Sequence, residues 1–343
     1  MKIFVFGAGA SMDAQHIDNR LSDRFKAPLM RELFLDRYYP YAQEVGLPSN
    51  KFIELRTLAG DNVESYLTNR WEEIQRHRSH RYQDAENSLF GKLVFYLWKL
   101  LLEVSTTYNA DERNTYRLFM NKIFKGEDYG FINFNYDTFL DKAIKDTYGK
   151  HFSSLEDYFS FDYIKPHGSV NWLMGHRVNE DSITFPGNFS METRYSMASS
   201  RMFTGEPIPY ENIKVLDPKD PNIDNPWLMP IINSYFGGRF FYPLVFIPLT
   251  SKLYDSVADF NDKIMTKGNE IMSRASEVYL IGYSASDQII REMLRHAPPG
   301  TKLHVVGKES SEKIMQELAK EFNGYFQRGD IYRDGFTKFV AQL

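Results

Sequence analysis

Four short segments place polar side chains directly after apolar runs, and each has residue types that could do chemistry. Phe6-Gly7-Ala8-Gly9-Ala10-Ser11 follows Ile3–Phe6. Glycines there let the backbone turn sharply and approach a ligand, and free amides at a helix start can bind a diphosphate. An ordinary strand-to-helix turn uses the same residues. Asn133-Phe134-Asn135-Tyr136-Asp137 follows Tyr129–Asn133, an address where open α/β sheets bind ligands. Asp137 or Asn135 there also suits a helix cap. Lys165-Pro166-His167-Gly168-Ser169-Val170-Asn171-Trp172 puts one of eight histidines beside a glycine, where it can serve as a general base. Ile281-Gly282-Tyr283-Ser284-Ala285-Ser286-Asp287 can present Gly282 and Ser284 to phosphate or ribose, with Ser286 or Asp287 as an N-cap.

The first segment is only half of a dinucleotide fingerprint. Met12 occupies the third glycine position of G-x-G-x-x-G. The acid expected about 20 residues on falls near Glu32, inside a predicted helix and not at a strand end. An ordinary dehydrogenase is therefore a poor fit.

The elements that must hold these segments alternate between strand and helix. Strands are predicted at Ile3–Phe6, Tyr129–Asn133, Phe161–Lys165, Leu244–Pro248, Val278–Gly282, Lys302–Val306 and Tyr325–Arg328. Helices are predicted after Pro28 (LMRELFLDRYY), from the capping-box pattern Asp61-Asn62-Val63-Glu64 to about His77, and over 86–107, 112–125 and 138–148. Further helices are predicted over about 253–275, 287–296, 310–322 and 335–343. The pattern predicts an α/β fold: a Rossmann-like parallel sheet with helices on both faces, an N-terminal helical section (28–125) and an irregular insertion. The predicted domain comprises 1–173 and 241–343, with 174–240 as a small subdomain, lid or assembly surface.

Taken together and in this order, GAGAS, N-x-N-Y-D, P-H-G-S-V-N-W and I-G-Y-S-x-S-D resemble the sirtuin-like NAD-binding family. The likeness is greatest to its prokaryotic branch in antiphage defence. The resemblance implies that Gly7, Ala8, Gly9 and Ser11 hold the NAD diphosphate. It implies that Asn135 lies by the nicotinamide ribose and orients the nucleophile, that Asp137 supports that site, and that His167 is the catalytic base. Gly282 and Ser284 would touch the adenosine side, and Gly307, between Val306 and Lys308, a loop near the adenine. Phe134 replaces the family's usual Gln, and residues 12–17 read MDAQHI where S-G-I-P-D-F-R is usual. Asp13 or Asp23 is a weak stand-in for the missing acid.

Composition then narrows the branch. The 343 residues include no cysteine, 41 basic and 45 acidic residues, for a formal net charge of −4. A thiolate nucleophile, a disulfide, a thiolate-held iron–sulfur cluster and a thiolate-held zinc are all excluded. Deacylating sirtuins carry a four-cysteine zinc module that this chain cannot form. His77 and His80 lack a third ligand, so no metal is expected. Mild acidity argues against direct nucleic-acid binding. MKIFVFGAGA reads as a buried strand rather than a signal peptide, and the longest apolar stretch, Leu93–Val104, is too short to span a bilayer. A soluble cytoplasmic protein is expected, with no membrane partner.

The function the resemblance implies is NAD glycohydrolysis, giving nicotinamide and ADP-ribose. NAD is then substrate, and control by homo-oligomer assembly or a partner defence protein is implied. The alternatives are a non-catalytic NAD or ADP-ribose-binding subunit and an NAD-dependent protein deacylase.

Overall fold

The structure, a computed structural model, describes residues 1–16, 21–59, 63–76, 80–123, 128–177, 190, 192–193, 195–196, 199, 206–207, 213–216, 239–246 and 258–343. These divide into two compact units, one of Met1–Leu29, Thr107–Gly168 and Phe260–Leu343, the other of Met30–Thr106 and Ser169–Asp259.

A strand covered on both faces has no polar face, so its sequence is a continuous apolar run. β1 (Lys2–Phe6, KIFVF) is such a strand, buried from Ile3 onward. It is followed by α1 (Ala8–His16), α2 (Thr115–Ile123), β2 (Tyr129–Asn133), α3 (Phe139–Tyr148), α4 (Leu155–Ser160) and β3 (Tyr163–Ile164). The chain returns to this unit with α5 (Ala258–Ser273), β4 (Glu277–Ile281), α6 (Gln288–Leu294) and β5 (Lys302–Val306). It closes with α7 (Ser311–Glu321), β6 (Gln327–Tyr332) and α8 (Gly335–Gln342).

The six strands lie in the order β6-β5-β4-β1-β2-β3, every neighbouring pair parallel. Helices flank this sheet, so the Rossmann-like α/β class predicted from the sequence is the one observed. Register sets Phe6 opposite both Asn133 and Ile281, which aligns the carboxyl ends of β1, β2 and β4. The order reverses between β1 and β4, which makes that end of the sheet a topological switch point. The abundant aromatics fill the core: Phe4 meets Phe119 edge-on at 4.9 Å and Tyr279 face-on at 5.1 Å.

The second unit is built differently. It contains helices Tyr39–Glu44, Ser49–Glu54, Val63–Arg76 and His80–Thr106. Its sheet centres on Gly168–Arg177, which pairs antiparallel with Glu206–Pro207 and Lys214–Val215 and also pairs with Arg239–Val245. Trp98 Nε1 donates to the Val170 carbonyl at 2.9 Å, tying the long helix to that strand.

Several predicted elements need correction. No α-helix runs on from Pro28: Met30–Glu32 and Asp36–Tyr38 are single 3-10 turns around an extended Leu35. That break lets Leu33, Phe34 and Tyr38 all be buried while Leu35 faces solvent. The predicted strand 161–165 shortens to Tyr163–Ile164, because Phe161 and Asp162 close a turn and Asp162 has φ +51°. The irregular insertion does not begin at Met174, because the strand started by Gly168 continues to Arg177. The helical stretch Met30–Thr106 groups with 169–259 and not with the parallel sheet. The final strand is Gln327–Tyr332 rather than 325–328, since Gly324 has φ +79° and Tyr325 belongs to the turn before it. Asp61, Asn62, His77, most of 174–240 and residues 247–257 lie outside the described residues. Among the described residues no helix is long and apolar enough to cross a membrane.

Candidate functional site at the switch point

β1 runs into α1 through Gly7 alone. The Gly7 amide donates to the Ile281 carbonyl at 3.0 Å, the Gly9 amide to the Gly282 carbonyl at 2.9 Å, and the Ala10 amide to the Gly7 carbonyl at 2.9 Å. A Cβ on Gly7 would lie 2.5 Å from Tyr283 Cδ2, and one on Gly9 would lie 2.9 Å from the Gly282 oxygen. Gly282 has φ +57°, and a Cβ there would collide with the Ala10 amide. The glycines of the first and fourth segments are thus required by one another, backbone against backbone. Their amides already have protein partners, whereas Ala8, at the first position of α1, is exposed.

The second segment enters the same place from β2. Asn135 Nδ2 donates to the Gly7 carbonyl and to Ser11 Oγ, each at 3.0 Å. Ser11 Oγ donates to Asp137 Oδ2 at 2.7 Å. Its single proton being so committed, Tyr116 OH donates to Ser11 Oγ at 2.8 Å. The other Asp137 oxygen accepts the Phe139 amide at 3.1 Å, so Asp137 also holds the start of α3. Complete burial pushes the Asp137 carboxyl up from its ordinary value, against the opposing pull of Lys165 and Ser11. Burial likewise pushes the Tyr116 hydroxyl well up, helped by Asp137.

Beneath this lies a second buried cluster that sequence reasoning missed. Lys165 Nζ donates to the Asp137 carbonyl at 2.7 Å and pairs with Asp141 at 3.3 Å, both side chains fully buried. Tyr158 and Tyr163 donate to the two Asp141 oxygens at 2.5 and 2.9 Å. Asn133 donates to Tyr163 OH at 3.0 Å and accepts the Asn135 amide at 3.0 Å, joining the two clusters. The only local signal is Asp141 lying one helical turn beyond Asp137.

His167 sits in the turn between β3 and the strand that starts at Gly168. Gly168, at φ +79°, closes the turn with its amide on the Lys165 carbonyl at 3.0 Å. The imidazole meets Phe134 edge-on at 4.9 Å and Tyr136 face-on at 5.9 Å, and Phe134 stacks on Tyr283 at 4.5 Å. Phe134 thus links the Asn135 segment to His167 and to the loop after Gly282. His167 Nε2 lies 2.6 Å from Asp287 Oδ2. Asp287 is the N-cap of α6, its other oxygen accepting the Ile289 amide at 2.8 Å. Sequence reasoning read the cap but not the histidine.

The remaining candidates have partners of their own. Ser284 is exposed and shares a hydrogen bond with Ser286 at 2.9 Å. Gly307 ends β5, its amide on the Tyr332 carbonyl at 2.9 Å and its carbonyl accepting the Gly335 amide at 2.7 Å. Asp13 accepts the Thr337 amide at 2.9 Å and pairs with Lys308 at 2.9 Å, so it holds the start of α8. Among the described residues, no group of three or more His, Asp or Glu side chains is placed to hold a metal ion.

The arrangement can orient a proton-accepting imidazole beside a hydrogen-bonded Asn–Ser–Asp–Tyr network at the carboxyl edge of a parallel sheet. No family model matches the chain, and no curated protein matches it.

Proposed function

We propose that this chain hydrolyses NAD at the bond between nicotinamide and ribose, releasing nicotinamide and ADP-ribose. One observation carries the reading. Segments more than a hundred residues apart meet at the switch point, with Asn135 bonded to both Gly7 and Ser11 and His167 against Phe134. Departure of nicotinamide builds positive charge on the ribose, as in other glycoside cleavages. In this reading His167 accepts the proton released through the ribose hydroxyls, Asn135 orients the attacking water, and Asp137 holds the Ser11 end of the network. Ser284 and the loop at Gly307 fit a role at the adenosine end. Such an activity needs restraint in a living cell, and we assign that to assembly of the chain or to a partner, in the setting of antiphage defence in the cytoplasm.

The test is nicotinamide release from NAD, with the His167→Ala protein as control. Parent-like cleavage by that variant would remove His167 from the mechanism.

A specific observation favours a second reading. The Asn135 carboxamide is buried and bonded inward, and the Gly7 and Gly9 amides already have partners. A protein that binds NAD or ADP-ribose without turning it over needs none of these groups to act. Tight NAD binding with no nicotinamide release, across assembly states, would support it over hydrolysis and over lysine deacylation.

A further inference from the structure

Asp287 has two carboxylate oxygens, and a helix cap uses only one. Oδ1 accepts the Ile289 amide at 2.8 Å and fixes the carboxylate at the start of α6. Oδ2 is left on the histidine side, 2.6 Å from His167 Nε2, although the two residues are 120 apart in sequence. Both side chains are mostly buried, at 14% and 20% exposure, so the contact is screened less than a surface pair. Capping does not explain the second contact, because Ser or Asn caps as well as Asp.

Asp287 meets the imidazole together with two aromatic rings. Tyr136 lies face-on to the ring and Phe134 edge-on. Lys165, in the same turn, directs its ammonium to the Asp137 carbonyl and to Asp141. Burial raises the Asp287 carboxyl, but the His167 hydrogen bond and charge and the Ile289 amide outweigh it and hold the group below its ordinary value. An ionised carboxylate only accepts hydrogen bonds, so Nε2 carries the proton and Nδ1 the lone pair of the neutral ring.

We infer that Asp287 is the positioning residue for His167, holding the imidazole in one orientation and in the Nε2-protonated tautomer so that Nδ1 is the base. The inference rests on the proposed hydrolysis for its kinetic consequence, but the tautomer is a property of the resting protein.

The experiment uses the full chain with Asp287→Asn and Asp287→Ser, both of which keep an N-cap. Thermal unfolding is expected to stay near the parent's. In histidine-labelled protein, the ring-nitrogen NMR signals of His167 are expected to report Nε2 protonation in the parent and a shift toward Nδ1 protonation in Asp287→Asn, whose amide can donate. An unchanged His167 pattern in both variants overturns the inference, whether or not the protein cleaves NAD. In the hydrolysis assay, kcat is expected to fall on the order of a hundredfold or more, with KM changing less than about threefold. Parent-like kcat also overturns it. A parent that releases no nicotinamide yet shows the tautomer shift leaves the pairing standing and removes the proposed reaction.

Discussion

Gly9 and Gly282 meet backbone to backbone, the Gly9 amide donating to the Gly282 carbonyl at 2.9 Å. The contact joins the loops after β1 and β4, where strand order reverses and the two loops would ordinarily diverge around a ligand. The glycines are therefore needed for the fold whatever the site binds. Tyr283, one residue on, lays its ring over Gly7 and against Phe134, so the same contact shapes the surface beside His167.

Gly282→Ala is the sharpest test of that contact. The new methyl meets the Ala10 amide, and φ +57° disfavours any side chain. The left-handed conformation costs about 1–2 kcal/mol and the overpacking about 1–3 more. Thermal unfolding should show a clear drop in Tm; a midpoint unchanged within about 1 °C would mean that the two loops separate freely.

Ser11→Ala removes the donor to Asp137 and the acceptor for Asn135 and Tyr116. Three buried polar groups then lose a partner, and chemical unfolding should register a loss of about 1–3 kcal/mol. If the hydrolysis proposal holds, nicotinamide release falls as well, because Asn135 loses one of its two anchors.

Lys165→Met leaves the Asp141 carboxylate buried without its cation. Removing one partner of a buried pair costs about 3–5 kcal/mol. The double variant Lys165→Met with Asp141→Asn should recover much of that loss, since the amide oxygen accepts from one of Tyr158 and Tyr163 and the amide nitrogen donates to the other's hydroxyl oxygen. A double variant no more stable than the single one would show that the pair's charge is not what matters.

His304 should make stability fall with acid. Its Nδ1 accepts the Asp330 amide at 2.9 Å, its ring lies face-on to Tyr279 at 4.3 Å, and burial lowers its pKa below 6.5 despite Glu277 and Asp330. As pH falls through 6.5 the unfolded chain takes up a proton that the folded chain refuses, so stability declines until the lower folded-state value is reached. Above 6.5 both states are neutral there and the effect vanishes. Unfolding measured at closely spaced pH values should show a shallower slope below pH 6.5 in His304→Asn than in the parent; equal slopes would refute the assignment.

Much of the fold was legible in the residues themselves. Ile3–Phe6 is a continuous apolar run, and Tyr129–Asn133 and Lys302–Val306 are mostly apolar, because a strand inside a parallel sheet has no solvent face. Ser286 and Asp287 announced a helix start because either short polar side chain suits an N-cap. No helix runs on from Pro28 because local propensity takes no account of Leu33, Phe34 and Tyr38 all seeking the core, which two 3-10 turns allow. The last strand departs from its sequence pattern because its register depends on a bulge between Arg328 and Ile331 against β5.

By itself the sequence determined the alternation of strands and helices, the four junctions that carry polar residues, and the absence of thiol chemistry. The tertiary structure decided which of those residues touch. It set Asn135 on Gly7 and Ser11, gave Lys165 to Asp141, and brought His167 to Asp287. Periodicity and capping act over a few residues and leave a local trace. Pairing across 120 residues is set by strand order and helix placement, which act only once the sheet has assembled.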